Sequence, residues 1–336
     1  MKMATIKNID PKCGARFSAH IIEGVFMSFR SSCINFGLKL IVKPYLSKVE
    51  FNPLLRYISR TTVSEVCKLI PMPRSVKIIQ SQIDGVPVEW LVDEKAKNSK
   101  NVVLYIHGGA FIALSPTTHR SITTRLSKLS GSKVLAVDYR KAPEFPFPAG
   151  LNDCKSTYIW LLNNGYNSAN IIIAGDSAGG NLTLATMLSL RDDGLPMPVA
   201  AMCLSPWTDL TLSGKSMIYN AGNDVMIPVH RIPELVKMLS DYDTKHYLIS
   251  PLFADLKYFP PLFIQVGESE VVFDDSQRLV ELARSQNVEV DYKVWKNTVH
   301  VFPILAPYLP EANSAIKKMA RFAARHFNEE LATNKV

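Results

Sequence analysis

The sequence is short of everything that marks a disulfide scaffold, a zinc module or a membrane-spanning chain. Its 336 residues hold only five cysteines, Cys13, Cys33, Cys67, Cys154 and Cys203, odd in number and with no C-x-x-C spacing. That pattern excludes a disulfide framework and a zinc site, and leads us to expect reduced thiols in a cytoplasmic compartment. No apolar run is long enough to span a bilayer, because the most apolar stretch, residues 20–42, is broken by Glu23, Arg30, Asn35 and Lys39. The polar segment Met1 to Gly14 is followed by no apolar core with a small-residue cleavage site, so no secretory signal is expected. Internal repeats, low-complexity tracts and nucleic-acid modules are also missing.

Net charge is confined to one region. The formal net charge is +8, yet residues 1–80 hold thirteen Lys and Arg against four Asp and Glu, so the remainder is close to neutral. A solvated outer face of helices is the plain reading, and peripheral contact with an anionic membrane through these basic helices is the alternative. Phe17, Ile21, Val25, Phe29 and Cys33 recur every fourth residue, which predicts an amphipathic helix laid on a core.

What the chain does have is an alternation of apolar runs and helical patterns. Val76 to Ile83 and Val86 to Val92, joined through Asp84-Gly85, predict an antiparallel hairpin. Apolar runs follow at 102–106, 134–137, 171–174, 199–204, 261–266 and 288–295. Helical patterns fall between most of them, at 118–129, 151–163, 178–191 and 275–285, and a last one covers 312–328. Strands that are apolar throughout, alternating with helices, describe an α/β fold with a mostly parallel sheet covered on both faces. The interval 204–261 breaks the alternation. With the helical residues 1–70 it is expected to form a lid over one end of the sheet.

The centre of this arrangement is Gly175-Asp176-Ser177-Ala178-Gly179, a G-x-S-x-G placed between the strand 171–174 and the helix that follows. A strand turning into a helix within a few residues holds the serine in a tight turn, exposed above the sheet edge at a helix N-terminus. A serine hydroxyl becomes a nucleophile only when a base takes its proton, and the base needs a carboxylate to fix its tautomer. Of seven histidines, His20, His119, His230 and His246 fall in helices or lid segments, His107 opens a glycine turn and His326 lies on the last helix. His300 follows the last strand and a turn, at the edge where the serine emerges, and is the expected base. The acid must come from Glu268, Glu270, Asp274 or Asp275, just after the preceding strand; order alone points to Glu270 or Asp274. His107-Gly108-Gly109-Ala110-Phe111 follows the strand 102–106, so the N–H groups of Gly108, Gly109 and Ala178 are the expected oxyanion donors. Phe111 and Trp207 are candidate apolar walls of the substrate pocket.

These residues together resemble the bacterial hormone-sensitive-lipase-like esterases, the family IV lipolytic enzymes of the α/β-hydrolase group. The resemblance runs from about Val86 to Phe322. It rests on His107 to Phe111 for HGGG, on Asp138-Tyr139-Arg140-Lys141-Ala142-Pro143-Glu144 with Phe147-Pro148-Ala149, on Gly175 to Gly180 for GDSAGG, on Ser205 to Leu210, and on Val299 to Phe302. It implies an α/β-hydrolase fold with an eight-stranded sheet and a helical cap. The implied division is a cap segment 1–70, catalytic core 71–206, cap insertion 207–250 and core 251–336. It also implies Glu270 as the acid, where relatives usually carry Asp, with Asp274 as the fallback. Ala110 departs from the third glycine of HGGG and narrows the space beside the acyl group. The expected activity is a serine carboxylesterase acting on small-molecule esters of short to medium acyl chains, with no metal or organic cofactor and no nucleic-acid partner. Amidase or acyltransferase chemistry through the same acyl-enzyme, or a membrane-docking lipolytic enzyme, are the alternatives. A homodimer through the edge strand near 288–295 is a further implication.

Overall fold

The computed structural model describes residues 29–48 and 53–327. Three helical pieces come first: α1 (Phe29–Gly37), continued through a π-helical turn (Leu38–Val42) into α2 (Lys43–Lys48), and then α3 (Pro53–Cys67). Phe17, Ile21 and Val25 lie outside the described residues. Cys33 is exposed, and Ile34 and Leu38 are the side chains that meet the core. The helix face is thus rotated from the one the apolar spacing predicts, because Ser31 Oγ and Asn35 Nδ2 both donate to the Asn297 carbonyl and turn that side inward.

The hairpin forms as the pattern requires. β1 (Val76–Ile83) pairs antiparallel with β2 (Val86–Asp93), and both turn residues take positive φ, 49° at Asp84 and 81° at Gly85. Such backbone matches the twist of the flanking strands. The remaining strands are β3 (Val102–Ile106), β4 (Lys133–Val137), β5 (Ile171–Asp176), β6 (Ala200–Leu204), β7 (Leu262–Gly267) and β8 (Val290–Trp295). They form one eight-stranded sheet in the order β1-β2-β4-β3-β5-β6-β7-β8, parallel from β4 to β8. β3, β5, β6 and β7 are buried along their whole length, which is why they read as largely apolar runs, with Gln265 of β7 and Asp176 of β5 as buried polar exceptions.

Helices cover both faces. α4 (Arg120–Ser130) and α10 (Pro310–His326) share one core with the sheet, in which Ile122 and Leu126 of α4 meet Ile316 and Met319 of α10. α5 (Ala149–Asn163), α6 (Ala178–Asp192) and α9 (Phe273–Ser285) share the other, with Tyr158, Leu184 and Leu279 inside. Ile122 and Leu126 stand one turn apart and are fully buried, and each such side chain contributes about 1.5–3 kcal/mol. Between β6 and β7 lie only the short α7 (Ser216–Tyr219) and α8 (Ile232–Leu239) with turns. Lys43 Nζ donates to the Ala221 and Asp224 carbonyls at 2.7 and 2.6 Å, tying the first helices to this excursion. No helix among the described residues is long and apolar enough to cross a membrane.

Candidate active site

Ser177 stands between the end of β5 and the start of α6 with φ 52° and ψ −121°. A non-glycine residue reaches this region only when its surroundings hold it there, and such outliers collect at functional sites. Here the Ser177 N–H donates to the Leu204 carbonyl of β6 at 2.9 Å, and its carbonyl accepts from Trp207 N at 3.1 Å. The turn is also pressed against β3: a Cβ on Gly179 would lie 2.0 Å from the Ile106 carbonyl oxygen, so only glycine fits.

His300 lies on the turn after β8, and its Nε2 is 2.8 Å from Ser177 Oγ. Its Nδ1 is 2.6 Å from Glu270 Oε2. The next residue, Val301, has φ 50°, a strained setting for a β-branched side chain that fixes where the loop leaves the imidazole. Glu270 is buried; its other oxygen accepts from Gly267 N at 2.5 Å and Ser205 Oγ at 2.8 Å. Burial alone would lower the His300 pKa, but the hydrogen bond and charge of Glu270 outweigh it and hold the imidazole above the ordinary histidine value.

Asp274 is elsewhere. It sits in the first turn of α9, accepting from Ser216 N at 3.1 Å and Tyr219 Oη at 2.7 Å. Asp275 is fully buried and accepts the N–H groups of Thr208 and Asp209, both at 2.8 Å; burial pushes its carboxyl up to about 8. Of the two carboxylates left open by chain order, the structure therefore brings Glu270 to the imidazole and gives Asp274 to the helix start.

The three expected oxyanion donors do not stand alike. The N–H groups of Gly109 and Ala178 donate to no group among the described residues. The Gly108 N–H, by contrast, donates to Asp176 Oδ2 at 3.1 Å, so the expectation that it faces the substrate is corrected. Two groups the sequence reading passed over meet here: Asp176, inside the serine motif, and His119, placed among the helix or lid histidines. His119 Nε2 is 3.2 Å from Asp176 Oδ2. Nothing local in the sequence joins them, since the contact crosses from the turn before α4 to the end of β5.

Ser177 and His300 open on a cavity of about 430 Å³ with an almost wholly apolar wall, including Val42 and Val63 from the first helices and Ile227 and Leu235 from the β6–β7 excursion. Trp207 lines it. Phe111 does not; it packs against Trp207, ring centroids 5.8 Å apart.

A strand-to-helix serine facing a histidine on the last strand's turn, over an eight-stranded mostly parallel sheet, is the arrangement of a serine hydrolase of the α/β-hydrolase class. Residues 103–304 match the family described as alpha/beta hydrolase fold, and the chain belongs to that family. An acetyl-hydrolase of Streptomyces hygroscopicus is 37% identical over 70% of this chain and 78% of its own. An esterase of Acinetobacter venetianus is 34% identical over 79% of this chain and 87% of its own. The crystal structure of an esterase from the bacterial hormone-sensitive lipase family superposes with a TM-score of 0.83 at 32% identity, covering 90% of this chain and 99% of that one. Within the family the protein is a bacterial hormone-sensitive-lipase-like carboxylesterase, a hydrolase of carboxylic esters.

Proposed function

We propose that Ser177, His300 and Glu270 carry out this hydrolysis as nucleophile, base and orienting acid. The observation that carries the reading is the unbroken relay of 2.8 Å from Ser177 Oγ to His300 Nε2 and 2.6 Å from Nδ1 to Glu270. Ser177 Oγ attacks the ester carbonyl carbon as its proton passes to Nε2. The carbonyl oxygen turns anionic and is held by the N–H groups of Gly109 and Ala178 at the N-terminus of α6. The carbon–oxygen bond to the alcohol then breaks, and the alcohol leaves with the proton from Nε2. Water, deprotonated by the same nitrogen, attacks the acyl-enzyme; the acid departs and Ser177 regains its hydrogen. Glu270 keeps Nδ1 protonated throughout and stabilises the imidazolium.

The substrate class we propose is esters of short to medium acyl chains. A bounded apolar cavity beside Ser177 supports it, with the described helices before β1 and residues 207–250 acting as the cap that closes the cavity. We place the enzyme in the cytoplasm, a reading supported by the unpaired thiols of Cys33, Cys67, Cys154 and Cys203. Hydrolysis of a p-nitrophenyl ester series from acetate to palmitate tests the substrate class. A maximum at or below medium chains is expected, and equal turnover of long-chain triglyceride emulsions would contradict it.

A further inference from the structure

The carboxylate beside the nucleophile is saturated with partners, and none of them belongs to the proton relay. Asp176 is buried; its Oδ1 accepts from Tyr105 Oη at 2.8 Å, and its Oδ2 accepts from Gly108 N at 3.1 Å and faces His119 Nε2 at 3.2 Å. Three segments converge on this one side chain: β3 through Tyr105, the glycine turn after β3 through Gly108, and the turn before α4 through His119. The approach of the glycine turn is close. A Cβ on Gly108 would stand 2.3 Å from Asp176 Oδ2, so no other residue permits the contact.

His119 finds acceptors at both ring nitrogens. Nδ1 is 2.8 Å from Thr118 Oγ1 and 3.2 Å from the Ser115 carbonyl oxygen. The Thr118 hydroxyl gives its own hydrogen to that same carbonyl at 2.7 Å, so its oxygen is left to accept from the ring. Donating from Nδ1 there and from Nε2 to Asp176 makes the ring an imidazolium. Burial opposes that charge, but the Asp176 charge and hydrogen bond outweigh it and hold His119 above the ordinary histidine value. Burial likewise opposes an ionised Asp176, and His119 reverses it. The neighbouring His107 ring, 5.6 Å away, is pulled down to about 4 by burial and stays neutral, so the charge on this wall belongs to His119.

We propose that the buried Asp176–His119 ion pair is a positioning device that clamps the Gly108–Gly109 turn over Ser177 and so aims the Gly109 N–H at the developing oxyanion. Gly109, His119, Asp176 and Ser177 all line the one cavity, so the clamp lies directly at the reacting centre. Neither Asp176 nor His119 touches the substrate in this account. They act by fixing the direction of a donor that serves mainly in the transition state, so the loss shows in kcat and not in KM. The inference rests on the esterase reading.

The test is steady-state hydrolysis of p-nitrophenyl butyrate by wild type, Asp176→Asn, His119→Gln and the double variant, with melting temperatures. Inhibition by a hexyl trifluoromethyl ketone, whose serine adduct carries the oxyanion, is measured alongside. An inactive wild type would refute the esterase reading itself, and only an active one puts the clamp to the test. The expected result is that each single variant loses about ten- to a hundredfold in kcat, less than loss of an entire oxyanion donor, with KM within about twofold. Ketone affinity falls in parallel, and the double variant is no worse than the worse single, because both substitutions release the same turn. Unchanged kcat and ketone affinity in a folded His119→Gln would overturn the proposal. So would losses that multiply in the double variant. If Asp176→Asn does not fold, His119→Gln and Tyr105→Phe carry the test, and the latter is expected to lose kcat in the same direction and by less.

Discussion

Glu270 Oε2 and His300 Nδ1 stand 2.6 Å apart, and Asp274, four residues further along, meets the imidazole nowhere. The division follows from backbone position. Glu270 sits where the chain leaves β7, beneath the turn that carries His300, whereas Asp274 already belongs to α9 and accepts the Ser216 N–H at the start of α7. Glu270→Ala is therefore expected to lower kcat by about 10⁴-fold, as removal of an orienting acid does. Asp274→Ala is expected to keep activity within about tenfold and to cost about 1 kcal/mol of stability through the lost cap interaction. Kinetics and thermal melts of the pair check this, and an inactive, stably folded Asp274→Ala would reassign the acid.

The pH profile carries a second prediction. His300 must be neutral to take the serine proton, and Glu270 holds its pKa above the ordinary 6.5. The acid limb of kcat/KM is thus expected to fall at a pH above that value in wild type. In Glu270→Gln, where the carboxylate charge is gone and burial remains, the limb moves to lower pH. A limb that stays in place in Glu270→Gln would contradict the assignment of cause.

Much of this was legible in the sequence, for reasons that differ by element. β3, β5, β6 and β7 stand out because strands buried on both faces are largely apolar, and the serine turn stands out because strand, glycines and helix are all local. His300 follows from its place after the last strand. Chain order narrows the acid only to Glu270 or Asp274, since Glu268, Glu270, Asp274 and Asp275 crowd one short stretch and the choice depends on which faces the imidazole; only the family resemblance singles out Glu270. The Gly108 donor, the role of Phe111 and the meeting of His119 with Asp176 were out of reach. Each depends on a contact between segments far apart in the chain, which leaves no spacing pattern. The inward face of α1 was misjudged for a similar reason, because it is set by the distant carbonyl of Asn297.

Asp275 gives a prediction about stability. Its folded pKa of about 8 lies above the unfolded carboxylate value of 3.8, so the folded state binds the extra proton. Stability from this group is fully present below the unfolded value and is lost as pH rises toward and through about 8. Asp275→Asn, which keeps an oxygen for the Thr208 and Asp209 N–H groups, is expected to flatten that decline. Denaturant melts from pH 5 to 9 on both proteins measure it, and an equal slope in the two would refute the protonated state.

The cavity wall predicts acyl-chain selection. Leu235 lines the cavity from α8, so Leu235→Trp is expected to shift the preferred p-nitrophenyl ester to a shorter chain while acetate turnover stays within about threefold. An unaltered chain-length profile would place the acyl group elsewhere.

The most direct test of the account is covalent. Wild type and Ser177→Ala are treated with p-nitrophenyl-leaving alkyl phosphonate, digested and analysed by mass spectrometry, with ester turnover measured in parallel. The account predicts one phosphonyl group per chain, on the peptide bearing Ser177, with loss of all turnover. It predicts no label on Ser177→Ala, which stays folded and hydrolyses esters roughly 10⁵–10⁶-fold more slowly. Label on another residue, or full turnover in Ser177→Ala, would contradict it.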